Sequence, residues 1–224
     1  MTTEPVQILV WDGAVRLVHW LMVILVPLLW WTAEQGHMDW HKSLGLTMFG
    51  LVLFRLLWGF WGTWTARFAP MVRRMRSLNS YVGKLRRREP GPTFGHSPLA
   101  ALSVFALLLA LAAQVITGLF SVDVDGLESG PLAIMVSFET GRRFAEIHEF
   151  NFNLLAVLIG LHVAAIALYH FWLKEKLVGA MVTGRRSRSD FSGEALPENR
   201  PRKDVMIATA VISVACIFAI ANFG

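Results

Sequence analysis

The sequence predicts an all-α integral membrane protein, a four-helix transmembrane bundle with a fifth transmembrane helix at its C-terminal end. Three observations carry that prediction. Of 224 residues, 54% are apolar, with nine Trp and fifteen Phe, and the mean hydropathy is positive, a balance that fits a soluble domain poorly. Five predominantly apolar stretches stand near 15–33, 43–61, 98–120, 146–173 and 205–223, each long enough for a helix to cross the hydrocarbon layer. The cations behind the net charge of +5 gather in two segments that each follow an apolar stretch. Each span is expected to be helical, because a lone segment in lipid must satisfy its own backbone hydrogen bonds.

The charge segments set the expected orientation. Between spans two and three lie Arg67, Arg73, Arg74, Arg76, Lys84, Arg86, Arg87 and Arg88; after span four come Lys174, Lys176, Arg185, Arg186, Arg188, Arg200, Arg202 and Lys203. The opposite connections hold Lys42 in one, and Arg142 and Arg143 in the other beside Asp123, Asp125, Glu128, Glu139 and Glu146. The positive-inside rule places the basic segments in the cytoplasm, hence the N-terminus inside and the C-terminus on the periplasmic side. Cations arranged in this way do not form a nucleic-acid-binding face, so no nucleic-acid partner is expected. The first residues, Met-Thr-Thr-Glu-Pro, lack the basic region of a signal peptide, and span one is expected to be retained. The single cysteine, Cys216, falls in span five and excludes a disulfide framework, a thiolate metal site and covalent haem attachment through Cys-x-x-Cys-His. No phosphate loop, nucleophile elbow or catalytic carboxylate pair is present.

Span one opens with Val10-Trp11-Asp12-Gly13-Ala14-Val15-Arg16-Leu17-Val18-His19-Trp20. Arg16 and Trp20 read as interfacial anchors and His19 lies about one turn inside the cytoplasmic boundary. A short polar connection, Glu34 to Trp40, delivers His41 to the start of span two. Arg55 follows His41 by fourteen residues, about 21 Å deeper and on nearly the same helix face. Two readings of Arg55 stand: it snorkels to the headgroups, or its planar fork meets an anion inside the bundle. Gly45, Gly50 and Gly59 thin this helix for close packing or for the approach of a flat group.

Gly95-His96-Ser97-Pro98-Leu99 leads into span three, Pro98 suiting a helix N-terminus. That span carries no ionisable residue, only Gln114 and Thr117-Gly118 near one end, and reads as structural. The acidic connection 121–145 is long enough for a docking surface; its Asp123-Val-Asp125-Gly126-Leu-Glu128 breaks off too early for a calcium loop.

Span four organises the rest, for His148 and His162 stand fourteen residues apart on it. That is about 21 Å along the axis and within roughly 40° of one face, and histidine is expensive in a membrane span. By depth, His41 pairs with His148 from spans two and four, and His19 with His162 from spans one and four. Two bis-histidine sites stacked across the membrane suit b-type haem, whose iron takes axial imidazoles and whose macrocycle fills an apolar slot. Zinc or copper would be expected to recruit carboxylates, thiolates or clustered imidazoles. His170 also lies near the face of His148, 22 residues on. His162 ranks ahead of it as a ligand because its spacing keeps both haems within the hydrocarbon layer. His170, with His96, then belongs to a quinone pocket at the inner surface or is an interfacial histidine.

Taken together, Val10-Trp11-Asp12 with Val15-Arg16 and His19-Trp20, His41 with Gly45, Arg55 with Trp58-Gly59, Gly95-His96-Ser97-Pro98-Leu99, Leu161-His162, and Leu177-Val178 with Ala180-Met181 and Thr183-Gly184 resemble the bacterial cytochrome b561 family. The likeness extends to the b-type cytochrome subunits of nickel-iron hydrogenases and covers roughly residues 8–185. It implies a four-helix core with two non-covalent haem b groups, in the bacterial inner membrane, passing electrons between a periplasmic partner and the quinone pool. The partner would be a cytochrome c or a dehydrogenase or hydrogenase subunit, and the quinone ubiquinone or menaquinone. It carries His19, His41, His148 and His162 over as ligands and suggests that Arg16, Arg55 and His96 contact propionates or quinone. Two departures stand out: Ser97 replaces the Asn more common in the family, and span five lies outside the shared core, which leans toward the hydrogenase-type subunits. The expected organisation is a di-haem domain over 1–185, a basic cytoplasmic linker over 186–204 and an additional helix over 205–223.

The expected function is therefore an electron conduit, either an electron-transfer protein or a subunit of an oxidoreductase complex. The alternative is a stand-alone quinone-linked oxidoreductase such as a superoxide oxidase, for which a cationic funnel around Lys42, Arg142 and Arg143 would be needed to steer an anion. A haem-free structural or transport bundle is a third possibility, separated from both by the absence of a haem absorbance band.

Overall fold

A computed structural model describes residues 6–91, 93–191 and 196–223. In chain order these form β1 (Gln7–Leu9), α1 (Gly13–Glu34), α2 (Met38–Trp61), α3 (Phe68–Met75), α4 (Leu78–Arg86), α5 (Pro98–Phe120), a 3-10 turn (Ala133–Met135), α6 (Phe138–Phe171), α7 (Leu177–Thr183), β2 (Arg185–Ser187), a second 3-10 turn (Arg188–Phe191) and α8 (Lys203–Ala221). Helices α1, α2, α5, α6 and α8 are long and apolar enough to cross a membrane, so the chain is a predominantly helical, multi-pass membrane protein with the five spans expected, to which one short strand pair is added.

The largest boundary shift is at α6, expected from 146 and found to begin at Phe138. Hydropathy loses the helix where Glu139, Arg142, Arg143 and Glu146 begin, yet Ser137 caps it: the Thr140 N–H donates to Ser137 Oγ at 3.2 Å and the Gly141 N–H to the Ser137 carbonyl at 2.9 Å. An Arg143–Glu139 pair at 2.9 Å, one turn apart, supports the polar end. The connection expected over 121–145 is thereby shortened to 121–137.

The chain divides into two compact units. One gathers the stretch up to Leu17, Leu57–Phe105 and Gly160–Met206. Its organising group is Asp12, only 1% exposed. One carboxylate oxygen accepts from the Val15 N–H at 2.9 Å and so caps α1; the other accepts from Trp58 Nε1 at 3.1 Å and Thr63 Oγ at 2.6 Å. The N-terminal strand β1 pairs antiparallel with β2 in the register Gln7↔Ser187, Ile8↔Arg186, Leu9↔Arg185. Val10, Phe94 and Phe191 form a small core, so the segment read as a linker carries secondary structure and a buried aromatic. Asn199 clamps this region, donating to the Leu9 and Val10 carbonyls at 3.2 and 3.0 Å and accepting from the Thr65 N–H at 3.1 Å. Gly184 ends α7 at φ +79°, and a Cβ there would lie 2.6 Å from the Trp11 carbonyl oxygen, so the Thr183-Gly184 motif needs its glycine.

The amphipathic helices α3 and α4 account for much of the basic segment between α2 and α5. They turn Pro70, Met71 and Tyr81 inward and leave Arg67, Arg73, Arg76, Lys84, Arg86, Arg87 and Arg88 exposed. The Tyr81 hydroxyl meets that of Tyr169 at 2.7 Å. Burial first, then the Tyr169 hydroxyl, pushes the Tyr81 phenol above the usual tyrosine range.

The second unit gathers Val18–Leu56, Ala106–Ile159 and the stretch from Ile207. Leu25, Met48, Val52, Ala110, Leu111 and Leu155 form its apolar core. Asn151, itself buried, donates to the Ala110 carbonyl at 2.9 Å and to Gln114 Oε1 at 2.6 Å, joining α5 to α6. Helix α8 packs on α2: a Cβ at Gly50 would overlap the Ile217 side chain, and Thr209 and Ser213 are buried.

Candidate functional site

The second unit brings the His41 and His148 rings together edge-on. Their ring centroids lie 6.2 Å apart at an interplanar angle of 81°. Each ring is held by its Nδ1. In His41, Nδ1 donates to the Leu29 carbonyl at 2.9 Å; in His148, to the Gln114 carbonyl at 2.9 Å. A carbonyl oxygen only accepts, so Nδ1 carries a proton in each ring and Nε2 is the nitrogen left to ligate. Hydroxyls lie alongside, Thr32 Oγ at 3.4 Å from His41 Nδ1 and Thr117 Oγ at 3.2 Å from His148 Nδ1. A histidine whose Nδ1–H is tied to a carbonyl is oriented as a metal ligand through the opposite nitrogen.

The spacing suits a single metal between the rings. An imidazole nitrogen sits about 2 Å from its metal, and a ring radius of about 1.1 Å on each side brings the centroid separation to at most ~6.2 Å, the separation found. Among the described residues no group of three or more His, Cys, Asp or Glu could hold a bare ion. A pair of imidazoles suits a group that brings further ligands of its own, as a porphyrin does.

Both histidines line a cavity of about 320 Å³ whose walls include Val26, Leu46, Met48, Leu111 and Phe152. Gly45, one turn beyond His41, lines it too, and a Cβ built there would meet nothing within 4 Å. Gly118 does a different job: its Cβ would fall 2.9 Å from His148 Cε1, so the glycine makes room for the ring. The charged lining residues are Glu34, Lys42 and Glu149. Helix α5, expected to be structural, is thus part of the site, supplying the Gln114 carbonyl, Thr117 and Gly118. The signal in the sequence was that these are the polar and small interruptions in an otherwise apolar span.

The other expected residues are held as follows. His162 is half-buried with its Nδ1 3.3 Å from Ser103 Oγ. His19 is half-buried with its ring edge-on to Trp20, centroids 5.1 Å apart. His96 stacks edge-on to Trp11 at 4.6 Å, and its carbonyl accepts from Arg74 Nη1 at 2.7 Å. His170 is exposed, with Phe171 at 4.9 Å. Arg16 donates through Nη1 to the Val182 carbonyl at the end of α7, while its Nε is buried with no hydrogen-bond partner among the described residues. Arg55 is buried, 7% exposed.

The cations around which a funnel was considered are engaged. Lys42 pairs with Glu128 at 2.8 Å, Arg142 donates to the Val122 carbonyl at 3.1 Å, and Arg143 pairs with Glu139.

A multi-pass helical bundle with two facing imidazoles over an apolar slot has the architecture of a membrane b-type cytochrome working in electron transfer. The chain belongs to the prokaryotic cytochrome b561 family, whose pattern it matches over residues 10–184. Over 219 residues it is 21% identical to a probable Ni/Fe-hydrogenase B-type cytochrome subunit of Rhodobacter capsulatus, covering 82% of this chain and 83% of that protein. No solved structure matches it.

Proposed function

We propose that the protein is a di-haem electron conduit of the bacterial inner membrane, linking a periplasmic redox partner to the quinone pool. The observation that carries the proposal is the His41–His148 pair: two imidazoles 6.2 Å apart, each with Nδ1 committed to a backbone carbonyl, over an apolar cavity of about 320 Å³. His41 and His148 would hold one haem b, with Gly45 and Gly118 leaving space beside them. When bound, the haem supplies reversible one-electron chemistry at its iron. The chain supplies orientation, a dry apolar surround and hydrogen bonds that raise ligand basicity.

A second haem on His19 and His162 rests on the fourteen-residue spacing from His148 and on family resemblance. The Ser103 hydroxyl beside His162 repeats the hydroxyl support seen at His148. Arg16, Arg55 and His96 are assigned to propionates or quinone, ubiquinone or menaquinone, and His170 to the quinone end or to the interface. The basic segments orient the N-terminus toward the cytoplasm and the C-terminus toward the periplasm, giving the acidic 121–137 connection to a periplasmic partner. Given the hydrogenase-type relative, that partner is an oxidoreductase subunit or a cytochrome c. Ion pairing of Lys42 and Arg143 and the engagement of Arg142 disfavour an independent superoxide-oxidising site.

The test is a reduced-minus-oxidised spectrum with pyridine-haem quantification on the purified protein and its histidine variants. Two haems per chain are expected, one lost in His41→Ala and in His148→Ala, the other in His19→Ala and in His162→Ala. A haem-free parent would end the conduit reading; loss of the second haem in His170→Ala instead of His162→Ala would reassign its ligand.

A further inference from the structure

We infer that Lys42 is the carboxylate-binding residue of the His41–His148 cavity, holding a haem propionate there in exchange for the Glu128 carboxylate that it holds in this structure. This rests on the haem reading above and adds to it the residue that receives the charged edge of the group.

Most of the cavity wall is apolar, and a charged carboxylate in such surroundings is strongly disfavoured without a partner. The acidic edge of a haem must therefore lie where the lining is polar. At the junction of α1 and α2 the lining offers Glu34 and Lys42, and Glu149 adds a further carboxylate from α6. Glu34 and Glu149 would repel a propionate. Lys42 is the one cation among the described lining residues. It directly follows the proposed ligand His41, and Gly45, one turn on, leaves open space beside that ring.

The structure shows that the Lys42 ammonium accommodates a carboxylate. Glu128 Oε2 lies 2.8 Å from Nζ, reaching in from the 121–137 connection without itself lining the cavity. One of the three N–H donors is used in this way; Asp39 Oδ1, at 4.0 Å, is beyond hydrogen-bond reach. The side chains of Lys42 and Glu128 are 35% and 40% exposed, so an exchange of carboxylates leaves neither charge stranded in an apolar interior.

The experiment uses the full chain, produced without haem, in detergent, titrated with haem b and with haem b dimethyl ester, whose carboxylates are masked. The relevant site is the one that His41→Ala abolishes. The parent should bind haem b roughly tenfold more tightly than the ester, the size of a charge-assisted hydrogen bond discounted for a partly exposed ammonium. Lys42→Gln should erase that preference by weakening haem b alone, and Lys42→Arg should restore it. Glu128→Gln, which removes the competing carboxylate, should hold or raise haem b affinity. Equal binding of haem b and its ester by the parent, or a preference that survives in Lys42→Gln, would overturn the assignment without touching the haem reading. Weaker haem b binding in Glu128→Gln would overturn the exchange. Unchanged haem content in His41→Ala would instead overturn the haem reading on which the inference rests.

Discussion

The Thr117 hydroxyl of α5 and the His148 ring of α6 meet at 3.2 Å, and fourteen residues along each helix Ser103 and His162 meet at 3.3 Å. Helix α5 thus carries a hydroxyl for two of the three histidines of span four, His148 and His162. At His148 the hydroxyl is secondary to the Gln114 carbonyl, which takes the Nδ1 proton at 2.9 Å.

That hierarchy predicts unequal effects from neighbouring substitutions. Thr117→Val leaves the carbonyl bond intact and should keep haem content near parental. Gly118→Val places a branched side chain where even a Cβ would stand 2.9 Å from His148 Cε1. Its haem retention at the His41–His148 site should fall by roughly tenfold or more, as expected when a ligand's orientation is lost. Pyridine-haem quantification after dialysis against a haem scavenger reads the difference, and equal retention in the two variants would refute it.

Asp12 should be a stability residue. Asp12→Ala removes the α1 cap and leaves the Trp58 N–H and Thr63 hydroxyl without their acceptor, at a cost of about 3 kcal/mol. Asp12→Asn keeps one oxygen acceptor and should cost less. Thermal unfolding of the detergent-solubilised protein ranks the three forms; an Ala variant as stable as the parent would show that the network contributes nothing net.

Tyr81 makes stability fall at high pH. Its phenol is raised in the folded protein, so the contribution is complete below the ordinary tyrosine pKa of about 10 and is lost as pH rises from there through the folded value. The chain has only two tyrosines, Tyr81 and Tyr169, so tyrosinate absorbance reports on this pair alone. The parent should show a phenol titrating above the free range, and Tyr81→Phe should lose it along with the matching part of the alkaline destabilisation. A parent with no phenol titrating above the free range would contradict the burial of Tyr81.

At Gly50, Ala should be tolerated, because the atom it meets first is the tip of the Ile217 side chain, which can turn aside. Gly50→Phe cannot be absorbed in this way and should displace α8, costing about 1–3 kcal/mol by overpacking. Increased labelling of Cys216, now only partly exposed, by an apolar maleimide would register the displacement; unaltered labelling would argue against the α2–α8 contact.

Much of the architecture was legible before any coordinates. Hydropathy alone locates five spans, because a bilayer demands long apolar runs, and polar exceptions within such runs are few enough to stand out individually. His19, His148, His162 and Arg55 are visible for that reason. Interfacial structure was much less legible. The strand pair β1–β2, the short helices α3, α4 and α7, and the first turns of α6 are polar or mixed, and their stability comes from caps and long-range contacts that no apolar periodicity announces.

What the sequence determined by itself is therefore the class of protein: membrane-spanning helices with histidines at repeated spacings, since side-chain chemistry in lipid is costly enough to be informative residue by residue. The tertiary structure alone decided how those histidines are held. His41 and His148 are oriented by the carbonyls of Leu29 and Gln114, groups common to every residue, and what makes these two special is where α1 and α5 present them. The same holds for Lys42 and Glu128, 86 residues apart, and for Asn199 against Val10: their partners are set by packing, and packing is not written in any one stretch of chain.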